Sequence, residues 1–165
     1  GRPSYNDYHL FEMLLLESFQ AGLSWECILN KREAFKKAFD NFDYKKISKY
    51  DENKIIELLN NKDIIRNKLK IKASITNANI FLKIQKEYKT FSNYIWSFTN
   101  NKIIDNTNSK KVSSSALSDK ISKDLKSRGM KFVGTKIVYS YLQAIGIIND
   151  HDKDCAFGKE IKRNS

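Results

Sequence analysis

Hydrophobic residues recur three and four positions apart along most of the chain, the spacing of one helical face. Asp7 can cap a first helix running through Phe11, Leu14 and Leu15 toward Gln20. Ser24 can cap a second that carries Ile28, Leu29, Phe35 and Phe39. Residues 41–44 read as a connector. DENKIIELL has an acid-rich first turn and then an apolar face, which suits the partial positive charge at a helix start. KLKIKASITNANIFLKIQKEY reads as a long amphipathic helix, and TFSNYIWSF as a short aromatic one. TNNKIIDNTNSKKVSSSA is polar and has no period, so it reads as a mobile loop. Helix returns at LSDKISKDLKSR, breaks at Gly129 and resumes as TKIVYSYLQAIGII. Alternating runs and internal repeats do not stand out, so the expected fold class is all-α.

One apolar run breaks the pattern. In LLLESFQAGLSW, residues 14–25, Glu17 shares a helical face with Leu10, Leu14 and Ala21, the face that packs inward. A buried carboxylate without a partner costs several kcal/mol or takes up a proton. Glu17 therefore either turns to water at the helix end or waits for a positive group. Trp25, which closes the run, is either a core aromatic or a flat stacking surface.

LKSRGMKFVGTKIVYSYLQA has two helical segments around a short turn. Gly129 is placed as a helix C-cap needing positive φ, and Gly134 would let a backbone approach closely. The free N–H groups of the following helix make a phosphate site, and Lys120, Lys123, Lys126, Arg128, Lys131 and Lys136 surround the turn. This is either a helix-hairpin-helix element that holds a DNA backbone without reading bases or an ordinary helix junction with solvated lysines. In IINDHDKDC, His151 and Cys155 are spaced i, i+4, half of a tetrahedral zinc site, or else an unrelated pair.

Composition narrows these choices. A chain of 165 residues suits one domain with a real core. Its net charge of +11 favours polyanions, nucleic acid before membrane surface, although a Lys- and Asn-rich coding bias would give the same total. No apolar stretch reaches membrane-spanning length and no secretory leader is present. Two cysteines, Cys27 and Cys155, give no disulfide framework, so the default compartment is a reducing cytoplasm or nucleoid. Because the chain starts at Gly1 rather than Met, upstream residues could have been removed.

LFEMLLLESFQAGLSW, KREAFKKAF, DIIRNKLKIKASITNA, YIWSF and SRGMKFVGTKIVYSYLQAIGIINDH with Cys155, in this order, resemble the DNA-3-methyladenine glycosylase I family of the helix-hairpin-helix superfamily. The resemblance implies two helical lobes with an active-site cleft between them. It assigns residues 1–155 to a glycosylase domain with its hairpin at 129–136, and leaves 156–165 as a basic tail. The implied activity is monofunctional hydrolysis of the N-glycosidic bond of 3-methyladenine in alkylated double-stranded DNA, by base flipping. Glu17 would accept hydrogen bonds from the cationic base and Trp25 would stack on it. Gly22 and Leu23 would fill the gap in the duplex, while Gly129, Lys131, Gly134, Thr135 and Lys136 would hold the backbone. A monomer without membrane attachment is expected, and the alternative is a non-catalytic nucleic-acid-binding module.

Departures from the superfamily pattern accompany the match. Asn149 stands where many superfamily members carry an essential Asp, and the methyladenine family shows the same Asn. Lys136 sits at the offset of a Schiff-base lysine found in bifunctional members, against an otherwise monofunctional match. In the family a segment ending just before the Gly1 position carries a Cys and a His that join the His151 and Cys155 equivalents on structural zinc, with a Tyr and a Trp that line the pocket. Without that segment the expectation is an incomplete zinc site with weak or no zinc binding, an open pocket, and activity reduced or lost.

Overall fold

The computed structural model describes residues 2–20, 23–105 and 114–149, apart from the side chain of Trp25. Its helices are α1 (Asp7–Gln20), α2 (Trp25–Asn30), α3 (Arg32–Ala38), α4 (Tyr44–Ile47), α5 (Glu52–Leu59), α6 (Lys68–Tyr88), α7 (Phe91–Ser97), α8 (Ala116–Ser127) and α9 (Thr135–Ala144). A 3₁₀ turn at Asp40–Phe42 joins α3 to α4. The all-α expectation holds, with one addition among the described residues. Ile104–Asp105 (β1) pairs in parallel with Ile148–Asn149 (β2). Two residues are too few to display a period-2 pattern, so this ribbon leaves no sequence signal. Residues 106–113 of the expected loop lie outside the described residues.

α1 is the axle of the fold. Every residue from Leu10 to Phe19 is buried, and of the acids in that stretch Glu12 reaches the half-exposed Arg32 in an ion pair. α6, α7 and α9 pack around it. Phe11 meets Phe81 of α6 edge-on, and Tyr141 of α9 donates its hydroxyl to the Leu10 carbonyl at 2.8 Å. From the other side Phe35 and Phe39 close on Phe19, with ring centroids 4.9 and 5.9 Å away.

The cap of α1 is Asn6 rather than Asp7. Asn6 Oδ1 accepts from the N–H groups of Tyr8 and His9. Asp7 reaches instead across the fold to the start of α7, accepting from the backbone N–H groups of Phe91 and Ser92 at 2.8 and 2.9 Å. Ser24 caps α2 as expected, but the helix breaks at Lys31 and restarts as α3, a bend that turns Phe35 and Phe39 onto Phe19. The last helix also ends sooner than its apolar periodicity suggests. It stops at Ala144, and Gly146 then adopts φ +82° to lead the chain into β2. A Cβ at Gly146 would lie 2.3 Å from Pro3 N, because the N-terminal segment runs against this turn. Ser4 N–H donates to the Ile145 carbonyl, and Trp96 Nε1 donates to the Ser4 carbonyl.

Candidate active site and DNA-facing hairpin

Glu17 sits in the last turn of α1 at 3 % exposure. Its Oε2 has no hydrogen-bond partner, and among the described residues no ion pair includes it. Of the two outcomes open at the level of sequence, escape to water is therefore ruled out. Burial alone pushes its carboxyl up to about 8, so at neutral pH the acid in the free protein is largely protonated. Its electrostatic neighbour is the fully buried Tyr141 of α9, whose own pKa is raised well above the ordinary value, first by burial and least by Glu17. The first turn of α6 braces the end of α1. Lys70, itself buried, donates from Nζ to the Phe19 carbonyl at 2.9 Å. Its burial lowers its pKa.

The turn after α1 is described in part. Leu23 N–H donates to the Gln20 carbonyl at 2.7 Å, and its side chain is 38 % exposed, free to meet something outside the molecule. Gly22 and the Trp25 side chain lie outside what the structure describes, so the stacking role drawn for Trp25 has no geometry here. A shallow groove beside this turn is lined by Ser24, Glu26, Cys27, Asn30 and Lys31 of α2 and its ends, not by Glu17.

The hairpin between α8 and α9 takes the expected form. Gly129 has φ +103°, and the two bonds from Gly129 N–H to Lys126 O and from Met130 N–H to Leu125 O make a Schellman cap. Gly134 is different. Its φ is −62°, and a Cβ there would meet nothing within 4 Å. The fold itself therefore has no use for a glycine at 134, and the space it leaves faces outward. α9 starts with no side-chain cap, which leaves the N–H groups of its first turn open. The Thr135 hydroxyl is tied to Ser118 Oγ at 2.7 Å. Lys120, Lys123, Lys126, Lys131 and Lys136 are exposed around the turn.

Arg128 does not join them. Its guanidinium donates to Asp124 Oδ2 at 2.9 Å and to Glu87 Oε2 at 2.7 Å, and it lies over the rings of Tyr88 and Tyr94. That cation fastens α8 to α6 and α7 instead of facing a phosphate. Residues missed by pattern reading complete the hairpin: Asn77 bonds both backbone groups of Lys131, and Ser122 Oγ donates to the Val133 carbonyl. Neither side chain departs from an ordinary helical position, so no sequence signal marks them.

Asn149 is buried on β2 and its Oδ1 also lacks a partner. Among the described residues only Glu17 Oε2 shares that condition. His151, Cys155 and the expected tail at 156–165 lie outside the described residues. Within the described residues no group of three or more His, Cys, Asp or Glu side chains is placed to hold a metal ion. None of the described helices is long and apolar enough to cross a membrane.

A family model described as methyladenine glycosylase matches residues 1–159. DNA-3-methyladenine glycosylase 1 of Escherichia coli strain K12 is 40 % identical over 158 residues, which cover 94 % of this chain and 84 % of that protein. DNA-3-methyladenine glycosylase of Haemophilus influenzae is 39 % identical, over 94 % of this chain and 85 % of its own. Among solved structures, 3-methyladenine DNA glycosylase I of Staphylococcus aureus superposes with a TM-score of 0.90 at 37 % identity, covering 94 % of this chain and 85 % of that one. A variant of 3-methyladenine DNA glycosylase I in complex with 3-methyladenine superposes equally well, at 0.90 and 37 % identity over 94 % of this chain and 86 % of that one. The buried acid of α1 and the open hairpin thus stand in a fold shared along nearly its whole length, and the chain belongs to the methyladenine glycosylase family.

Proposed function

We infer that this protein is a DNA-3-methyladenine glycosylase, which hydrolyses the bond between the damaged base and its deoxyribose as the first step of base-excision repair. The observation that carries the reading is Glu17, a carboxyl group buried at 3 % exposure with an unpartnered oxygen. A buried acid without a partner is a standing cost to the fold, and a cationic ligand removes that cost.

3-Methyladenine attached to deoxyribose carries a positive charge; adenine does not. With its carboxyl pushed up to about 8, Glu17 holds its proton in the free protein and gives it up when a cationic base is seated at its side. The resulting ion pair forms in a poorly screened interior, where Coulomb attraction is strong. Neutral adenine brings no charge to offset the ionisation and meets a protonated acid instead. Methylation also makes the base a good leaving group. The glycosidic bond breaks with its electron pair going to the base, the positive charge passes to the sugar, and a water oxygen bonds to the anomeric carbon as it releases a proton. The protein's work is to extrude the nucleotide, at a cost of a few kcal/mol, and to hold it beside Glu17. In this reading Leu23, exposed next to this helix end, occupies the gap in the stack, and the open turn at Gly134, Thr135 and Lys136 holds the backbone of duplex DNA.

The test is base release. Methylated duplex DNA incubated with the protein should yield free 3-methyladenine on chromatography, with no adenine from undamaged DNA. Salt-sensitive binding of the duplex without any release of base would support the non-catalytic module instead.

A further inference from the structure

We propose that Asn77 and Ser122 are positioning residues that turn the Lys131 and Val133 carbonyl oxygens of the hairpin inward, away from a bound DNA backbone, while the N–H groups at the start of α9 stay open to it. The proposal deepens the functional reading above and rests on it.

Asn77 lies in the middle of α6 at 3 % exposure. Its Oδ1 accepts from Lys131 N–H at 2.8 Å, and its Nδ2 donates to the Lys131 carbonyl at 3.0 Å. The two bonds fix the amide's orientation, since exchanging oxygen and nitrogen would break both. Two residues on, the Val133 carbonyl accepts from Ser122 Oγ of α8 at 2.6 Å, and Ser122 is itself buried. Between these anchors Phe132 holds φ +56°, a conformation that side chains rarely adopt without restraint on both sides.

The chemical consequence lies in what remains outside. A turn ordinarily offers carbonyl oxygens and N–H groups together, and a carbonyl oxygen close to a phosphate repels it. Here the carbonyls at 131 and 133 are consumed by side chains of α6 and α8, while the first N–H groups of α9 stay open beyond Gly134. The hydrogen bonds of Asn77 and Ser122 go to Lys131 and Val133, not to Glu17 or to the N–H groups of α9. They act through the hairpin alone.

The experiment compares Asn77→Ala and Ser122→Ala with wild type in three measurements: affinity for an undamaged duplex by fluorescence anisotropy, its dependence on salt, and affinity for free 3-methyladenine. Both replacements are uncharged, so electrostatics changes only through the turn. Duplex affinity should fall about tenfold for Asn77→Ala and severalfold for Ser122→Ala, with log K against log salt shallower by about one phosphate contact. Affinity for the free base should stay within about twofold of wild type. On methylated DNA the loss should appear as a raised KM, with kcat changed less. Unchanged duplex affinity and slope in folded variants would overturn the proposal, as would a parallel loss of free-base binding. If Asn77→Ala fails to fold, Ser122→Ala decides by the same readings. Failure of the functional reading looks different: wild type would bind duplex yet neither bind nor release 3-methyladenine.

Discussion

Glu17→Gln should stabilise this protein at alkaline pH while removing its selectivity. Glutamine keeps the size and shape of the side chain and removes the ionisation. In the folded state burial holds the carboxyl at about 8, against 4.5 for the exposed group. Between those values the folded protein retains a proton that the unfolded chain has released, so stability falls as pH rises through the window and levels off above about 8. Below 4.5 both states are protonated and the group contributes nothing to the pH dependence. Each pH unit inside the window is about 1.4 kcal/mol, so wild type should lose about 4 kcal/mol relative to the glutamine variant between pH 5 and pH 9. Urea denaturation of both proteins at pH 5, 7 and 9, followed by circular dichroism, measures that difference directly, because other titrating groups cancel. A gap between the two proteins that is the same at all three pH values would refute the reasoning and place the carboxylate in contact with water or a hidden cation.

Other consequences are more local. Gly134→Ala should leave urea stability within about 0.5 kcal/mol, since the new methyl meets nothing, yet lower duplex affinity in the same anisotropy measurement by blocking a close approach. Gly146→Ala combines φ +82° with a contact of 2.3 Å to the Pro3 nitrogen, and thermal unfolding should show a loss of more than about 2 kcal/mol. Lys136 is exposed at the start of α9, where a lysine serves as a counterion; borohydride treatment during turnover should trap no covalent adduct with DNA, and Lys136→Ala should reduce duplex affinity and its salt slope only modestly.

What the sequence discloses depends on the range of the interaction. The helix Lys68–Tyr88 is legible residue for residue, because a long amphipathic period is a local signal. The Schellman turn at Gly129 is legible for the same reason, since positive φ singles out its glycine. Glu17 is conspicuous because an acid on an apolar face violates the pattern around it. Interactions that close over long stretches of chain are invisible. Asp7 looks like the cap of its own helix and caps one more than eighty residues away, since a carboxylate near a helix start satisfies either role. Arg128 looks like one more hairpin cation, and only the fold brings Glu87 and the rings of Tyr88 and Tyr94 to it. Asn77 reads as an ordinary polar position in a long helix until Lys131 is found beside it.

The central claim is that a sheltered acid becomes a carboxylate when it meets a positively charged base. The pH dependence of kcat/KM for 3-methyladenine release, in wild type and in Glu17→Gln, tests it most directly, because that constant reports ionisations of the free enzyme. The wild-type value should rise with pH and level off near 8, while Glu17→Gln should be flat across the same range and well below wild type at the plateau. A glutamine variant that releases the base at the wild-type rate with the wild-type profile would show that the charge on Glu17 plays no part in recognising the lesion.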